Sequence, residues 1–533
     1  MPFVRGETPS SWRSDFFVEH LMHYAGQIPK WEGLRDERYV YARYFEQSPP
    51  FEFFHDLETD PMQLVNLAGD PRYRTALDRA RRRTNTLRDS YGGPFAVYKK
   101  PEPRKPNVVL IISDDQAWTD FGFMGHPVIE TPHIDALARD GAAFTRGYVP
   151  TALCRASLAT LATGLYPHQH GLTGNDPTIA LEMQGPTYWN DPRYRELNAQ
   201  LIANIDKMPT LPRLLADRGY VSFQSGKWWE GSYARGGFTD GMSHGDPDRG
   251  GRHGDDGLAI GREGLQPIFD FIEGAGDNPF FVWYAPFLPH TPHTPPDRLL
   301  QKYQSEGRAV ELTRYYAMCE WLDETVGELM TYLEQNGLDD DTLVVFVSDN
   351  GWIQKTPQTA TPPDWFTSFA PRSKQSPYDG GTRTPIILRW PSVIAPARYE
   401  TLASTIDIVP TILHATGASV PTDLPGVNLM KAVEGRTIPR AAIFGEGFAH
   451  DIADINDPAK SLLYRWCIQG QWKLILTYDG AVHRYAMVHP RAHRSPELYD
   501  LIADPHETTN VAAEHPEIQA WLSERISRWW PLR

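Results

Sequence analysis

Residues 107–116 read NVVLIISDDQ, an unbroken apolar and largely β-branched run that stops on two acids. A strand tolerates such a run only when both its faces are buried, the condition of a central strand in a sheet covered by helices. The same form recurs in PFFVWYAPF at 279–287, TLVVFVSDNG at 342–351 and TPIILRWP at 384–391. Between these runs the apolar spacing becomes helical, in PHIDALARDGAAF at 132–144, MPTLPRLLADRG at 208–219 and residues 311–336. The alternation predicts an α/β fold around a large, mostly parallel mixed sheet flanked by helices. In such sheets ligands bind beyond the carboxyl ends of the strands.

A chain of 533 residues is long enough for about two to four domains. No apolar stretch reaches the ~18 residues that a membrane span needs. Three cysteines, Cys154, Cys319 and Cys467, are too few and too scattered for a disulfide framework or a structural zinc site. The N-terminus lacks the basic start, apolar core and small-residue cleavage site of a secretory signal, which leaves the compartment open. The net charge of −15 is unevenly spread: residues 1–105 carry 17 Lys+Arg against 15 Asp+Glu, and the remainder 35 against 52. An acidic body does not bind nucleic acid, because polyanion binding needs excess basic side chains to displace counterions. The basic run RARRR at Arg79–Arg83 reads as the solvated face of a helix.

The chain also repeats itself. FEFFHDLETDPMQLVNLA at 51–68 matches PELYDLIADPHETTNVAA at 496–513 in its aromatic residue, Asp-Leu, acidic Asp-Pro loop, Asn and Ala, and each is followed by a helical pattern. Weaker matches lie upstream, WRSDFFVEH (12–20) beside PRAAIFGEG (439–447) and DERYVYARYF (36–45) beside QGQWKLILTY (469–478). The expected organisation is a small α+β unit at 1–98, a charged, Pro-rich linker at 99–106, a catalytic domain at 107–436, and a second copy of the small unit at 437–533.

Strand ends supply the first chemical group: Asp114 and Asp115 after one run, Asp349 and Asn350 after another. Four hard oxygen donors suit Ca²⁺ or Mg²⁺, whereas zinc favours His or Cys. A second group, Lys227 in SGKWWEG, His290 in PFLPHTPHTPP and Lys374 in RSKQSPYDGG, suits an oxyanion such as sulfate or phosphate.

With these residues goes TALCRASLATLATGLYPHQHG at 151–171, and together with STIDIVPTIL and ELYDLIADPHETTN they make the chain resemble the type I sulfatases of the alkaline phosphatase superfamily, over residues 107–533 and in that family's order. The resemblance implies an alkaline-phosphatase-like fold with a smaller C-terminal α+β subdomain, of which residues 1–98 resemble an extra copy. It implies that a maturation enzyme oxidises Cys154 to formylglycine, whose hydrate attacks sulfur with metal assistance. It assigns Ca²⁺ to Asp114, Asp115, Asp349 and Asn350, and sulfate and leaving-group binding to Lys227, His290 and Lys374. By analogy the family's address is periplasmic or extracellular and its substrate a sulfated small molecule or carbohydrate. Tyr188, Trp189, Trp352 and Trp365 are candidates to stack on a sugar or aryl ring, or else belong to the core.

Two positions depart from the family pattern. The signature Cys-x-Pro/Ala-x-Arg here ends in Leu158, and Arg155 points elsewhere on a helix. Trp229 stands where the family has the histidine that takes a proton from the formylglycine hydrate; His168 and His170 in YPHQHG are candidates to contribute instead, or else loop residues. Three functions fit this pattern: a divergent sulfuric ester hydrolase, a phosphoric ester or phosphonate hydrolase of the same superfamily, and a non-catalytic binding protein on the same fold.

Overall fold

The computed structural model describes residues 13–21, 29–93, 105–178, 188–246, 249–438, 440–482, 484–489 and 495–532. Most of the expected linker (99–104) and the first twelve residues lie outside them. The chain divides into two compact units, Met1–Pro103 and Arg104–Arg533.

The first unit is an antiparallel meander of β1 (Asp15–His20), β2 (Trp31–Asp36), β3 (Tyr39–Tyr44) and β4 (Phe51–Asp56), with a helix at Arg74–Ser90. Alternation along the strands puts Leu34, Tyr41 and Phe54 on one face, where they meet Leu77, Ala80 and Leu87 from one stripe of the helix. In the basic run, Ala80 is buried while Arg79, Arg82 and Arg83 are exposed, a solvated face as read from the sequence.

The second unit is built on a nine-stranded sheet. Its members in chain order are β5 (Asn107–Ser113), β6 (Ala142–Tyr148), β8 (Val221–Gly226), β9 (Asp240–Gly241), β10 (Phe280–Ala285), β11 (Thr342–Ser348), β12 (Arg383–Arg389), β13 (Ala397–Tyr399) and β14 (Ala403–Ser404); β7 (Asp176–Pro177) lies outside it. The spatial order is β13-β6-β12-β11-β5-β10-β8-β9, with β14 also on β6. β12 runs antiparallel to both its neighbours and every other pairing is parallel. The start of β12 and the carboxyl ends of β5, β6, β8, β10 and β11 therefore share one edge.

Both faces of the sheet are covered, which is why its strands are continuously apolar. Along β5, Val108, Leu110 and Ile112 join a core that includes the helix Cys154–Thr163, and Val109 and Ile111 join a second one with the helices Pro132–Asp140 and Val310–Gln335. The helix expected over 132–144 ends at Asp140, and Ala142–Phe144 already belong to β6. Gly141 makes the break: it is extended, and a Cβ there would lie 2.5 Å from the Leu388 carbonyl oxygen. The pattern at 208–219 likewise narrows to a helix at Leu211–Ala216.

The chain ends in a second meander of β15 (Ala442–Phe448), β17 (Leu462–Gln469), β18 (Trp472–Thr477) and β19 (Glu497–Asp500), with β16 (Asp451–Ile452) paired to β7 and a helix at Pro516–Trp529. One face meets that helix through Cys467, Leu474 and Leu498 against Leu522 and Ile526. The other packs Ile443, Trp466, Ile475 and Tyr499 on Tyr148 at the end of β6.

The loops after β4 and β19 have matching hydrogen bonds. Asn66 Oδ1 accepts from Phe54 N at 3.0 Å and Ala68 N at 3.1 Å, as Asn510 Oδ1 accepts from Leu498 N and Ala512 N, both at 3.0 Å. Asp60 accepts from Val65 N, and Asp504 from Thr509 N, both at 2.8 Å. Gln63 and Glu507 both take left-handed backbone, φ 58° and 57°. Among the described residues, no helix is long and apolar enough to cross a membrane.

Candidate active site

β5 and β11 are adjacent, parallel and in register through Ser113 and Ser348, so the residues that follow them meet. Asp115 has left-handed backbone, φ 64°, which turns its N–H to donate to Asp349 Oδ1 at 3.0 Å. Asn350 Nδ2 donates to Asp115 Oδ1 at 2.7 Å. Asp114, Asp115, Asp349 and Asn350 are all buried. Burial, opposed by Lys227 and reinforced by the neighbouring carboxylates, holds the Asp114 carboxyl well above its ordinary pKa, and Asp349 is raised for the same reasons.

The two lysines arrive from opposite sides of this pair of strands. Lys227 follows β8 and places Nζ 2.8 Å from each oxygen of Asp114. Lys374, in the loop before β12, places Nζ at 2.6 and 2.7 Å from the Asp115 oxygens and 3.1 Å from Cys154 Sγ. Burial disfavours both ammonium groups, but the facing carboxylates overcome it and hold their pKa values above the ordinary lysine range. His290, beyond β10, sets Nε2 3.3 Å from Asp115 Oδ2, with Nδ1 2.6 Å from the Thr291 carbonyl oxygen. Burial, then the two lysines, push its pKa well below the usual histidine value.

Cys154 is the first residue of the helix Cys154–Thr163, which is buried along its whole length and closed by Gly164 in left-handed conformation, φ 72°. Burial outweighs the two lysines and pushes its thiol pKa up to about 11. The eight residues singled out from the sequence thus lie together at one sheet edge. With Trp229, His253 and others, Cys154, Lys227, His290 and Lys374 line a cavity of about 300 Å³.

The donor set fits a hard cation. Asp349 Oδ2 and Asn350 Oδ1 are buried without a hydrogen-bond partner among the described residues. Ligand atoms of Asp114, Asp115, Cys154 and His290 all lie within 4.8 Å of one another. Asp114, Asp115 and Asp349 oppose Lys227 and Lys374, which leaves one carboxylate charge for a cation to neutralise.

The departures from the family signature have structural correlates. Leu158 is 3% exposed and belongs to the apolar core. Arg155 turns away into a buried ion pair, with Nε and Nη2 each 2.8 Å from a Glu230 oxygen and Nη1 2.9 Å from Asn198 Oδ1. Trp229 is buried with the Arg252 guanidinium 4.6 Å from its ring centre. His168 and His170 stand in a helical turn, Pro167–His170, and not in a loop. His168 pairs with Glu446 at 2.8 Å and stacks on Trp530 at 4.4 Å, while His170 is buried against Thr160 Oγ1 at 3.2 Å. Both are occupied by packing because the turn faces the C-terminal helix and the core.

Of the four aromatic candidates, only Trp352 lines the cavity. Tyr188 donates to Asp176 at 2.9 Å, Trp189 packs edge-on against it, and the Trp365 indole N–H donates to the Phe369 carbonyl at 2.7 Å. Arg252 and His253, both on the cavity wall, were not singled out from the sequence. Their signal was the glycine-rich RGGRHGDDG (249–257), which reads as loop until the fold brings it beside Lys227.

Acids, lysines and a buried cysteine are gathered at one edge of an α/β sheet of the alkaline-phosphatase-like class. A sulfatase family model matches residues 106–418, and one for the C-terminal region of N-sulphoglucosamine sulphohydrolase matches residues 372–529. The chain belongs to the sulfatase family. It is 28% identical to human arylsulfatase A over 481 residues, covering 79% of this chain and 87% of that protein. It is 26% identical over 495 residues to the N-acetylgalactosamine-6-O-sulfatase of Bacteroides thetaiotaomicron, covering 79% and 93%. A solved structure in complex with its substrate, D-glucosamine-2-N,6-O-disulfate, shares the fold with a TM-score of 0.59 at 20% identity, covering 80% of this chain and 97% of that one.

Proposed function

We propose that this sulfatase desulfates a carbohydrate sulfate ester in the Cys154 cavity, after a maturation enzyme has oxidised Cys154 to formylglycine. Asp114, Asp115, Asp349 and Asn350 would hold Ca²⁺, with Mg²⁺ as the alternative of the same donor chemistry. When present, the cation supplies positive charge facing the sulfate oxygens and the oxidised side chain supplies the attacking hydroxyl.

The chain's own residues do the rest. Lys227 and Lys374 are themselves buried and line the cavity, where their ammonium groups can stabilise charge developing on sulfate oxygens. Lys374 also holds a proton 3.1 Å from the side chain at 154. His290 sits beside Asp115 on the wall of the same cavity and would serve the leaving oxygen. The observation that carries this reading is the two buried oxygens, Asp349 Oδ2 and Asn350 Oδ1, left without partners among the described residues, next to an Asp115 that shares Lys374 with Cys154. The carbohydrate preference draws on the relatives' substrates and on the aromatic lining supplied by Trp229, Trp352 and Tyr485.

The test is sulfate release from 4-nitrophenyl sulfate and a panel of sulfated sugars, with 4-nitrophenyl phosphate in parallel and the peptide carrying residue 154 weighed by mass spectrometry. Sulfate-ester turnover by protein with aldehyde at 154 is the expected result. Turnover by protein with an intact thiol rejects the formylglycine, and cleavage of the phosphate alone rejects the sulfate-ester assignment.

A further inference from the structure

Resting on that reading, the chemistry needs a group that takes a proton at position 154, and Trp229, where the family places a histidine, has no basic nitrogen. His168 and His170 are held elsewhere, and His290 has its nitrogens at Asp115 and the Thr291 carbonyl. Two more histidines line the cavity, His253 and His450. His450 is held by Asp451 at Nδ1, 2.7 Å, and by Asn175 at Nε2, 3.3 Å, which leaves His253.

His253 packs between Trp229 and Phe287, with ring centres 5.3 and 5.5 Å away, and Phe287 stacks in turn on His290 at 4.3 Å. Its Nδ1 is buried and has no hydrogen-bond partner among the described residues. A buried polar atom left unpaired costs about 1–3 kcal/mol, so no hydrogen bond at this nitrogen holds the ring in place for stability.

The backbone around it is firmly anchored. The His253 carbonyl accepts from Trp228 N at 3.0 Å, one residue beyond Lys227. On one side Arg252 is held by Asp176 at 2.9 and 2.6 Å. On the other, the Gly254 carbonyl accepts from Ser243 Oγ at 2.9 Å, and the Asp255 carboxylate gathers the amides of His244, Gly245 and Asp246 at 2.9, 2.7 and 3.1 Å. These contacts fix the backbone from which the ring projects, and Trp229 and Phe287 pack against the ring itself.

We propose that His253 is a catalytic residue, whose neutral imidazole accepts the proton released by the hydroxyl borne at position 154. The O–H electron pair stays on that oxygen, and the proton passes from the ring to solvent water between turnovers. Burial, then the charges of Arg252 and Lys227, hold this imidazole well below its ordinary pKa, so the ring meets substrate in its neutral form. The negative charge of an incoming sulfate ester acts in the opposite sense and favours proton uptake during turnover.

The test compares the parent with His253→Asn and His253→Ala, each checked for melting temperature and for the oxidised fraction at residue 154. The expected result is a kcat loss on the order of 10²–10⁴, with calorimetric affinity for inorganic sulfate and oxidised fraction both within about twofold of the parent. Adding Trp229→His to His253→Ala should restore kcat at least about tenfold, a rescue that a merely structural role would not produce. A His253→Asn variant within threefold of the parent kcat overturns the role, as does a loss explained entirely by lost oxidation or lost sulfate affinity. If the parent turns over no sulfate ester, the proposed function falls and this role with it; if only the variants behave as the parent does, this role falls alone.

Discussion

Lys374 touches both Asp115 and Cys154, so removing its ammonium affects charge stabilisation and the nucleophile position together. Lys374→Ala is expected to lower kcat/KM by about 10²–10³, measured on an aryl sulfate. Arg155 serves packing and not chemistry: its loss leaves Glu230 buried and unpaired, so Arg155→Met should cost about 3–5 kcal/mol in a denaturant melt. Asp323 offers a pH test. Burial, against hydrogen bonds from the Ile134 and His133 amides, raises its pKa from 3.8 to about 7. Between those values the unfolded chain has released the proton while the folded chain retains it, so this group's contribution is full below about pH 4 and declines as pH rises to about 7. The melting-temperature gap of Asp323→Asn over the parent should widen across that interval and then level off. The four metal-donor candidates were legible because strand-end acids follow conspicuous apolar runs; His253 was not, since nothing local distinguishes one loop histidine from another.

The two small meanders share strand order, helix placement and loop hydrogen bonds, and we propose that they are copies of one unit. They differ where the C-terminal one meets the catalytic sheet. Glu507 is buried, 2.9 Å from Lys473 and accepting from the Asp379 amide at 2.6 Å, whereas the matching Gln63 is exposed. The repeat was readable because a tight acidic turn constrains its residues one by one: Asp60 and Asp504 cap the turn, and Asn66 and Asn510 bridge it. The core of residues 34–87 contains only its own unit's side chains. Deleting residues 1–98 should therefore leave melting temperature within a few degrees and kcat within about twofold; collapse of either would show that the unit is required by the catalytic one. The helix over 132–144 was overread for a complementary reason: β6 begins at Ala142 because its partner β12 is there, which no local pattern records.

For the whole molecule the decisive question is how buried charge is balanced. Three carboxylates and two lysines around unpartnered oxygens should bind a divalent cation and gain stability from it, by about 2.7 kcal/mol at a concentration of 100 Kd. Calcium is expected to raise the melting temperature of the parent, chelator to reverse the shift, and Asp349→Ala to abolish it; a parent indifferent to calcium and magnesium would contradict the donor assignment. The sequence by itself determined the buried strands and the acids that end them, because apolar runs and their terminators are local properties. Tertiary structure alone decided that loops from β8, β10 and before β12 reach the same acids, that Leu158 is core and Arg155 a buried ion pair, and that His253 stands behind Trp229. The physical reason is the strand order: one antiparallel strand among parallel ones brings distant loops to a single edge, and no stretch of chain carries a record of its neighbours in the sheet.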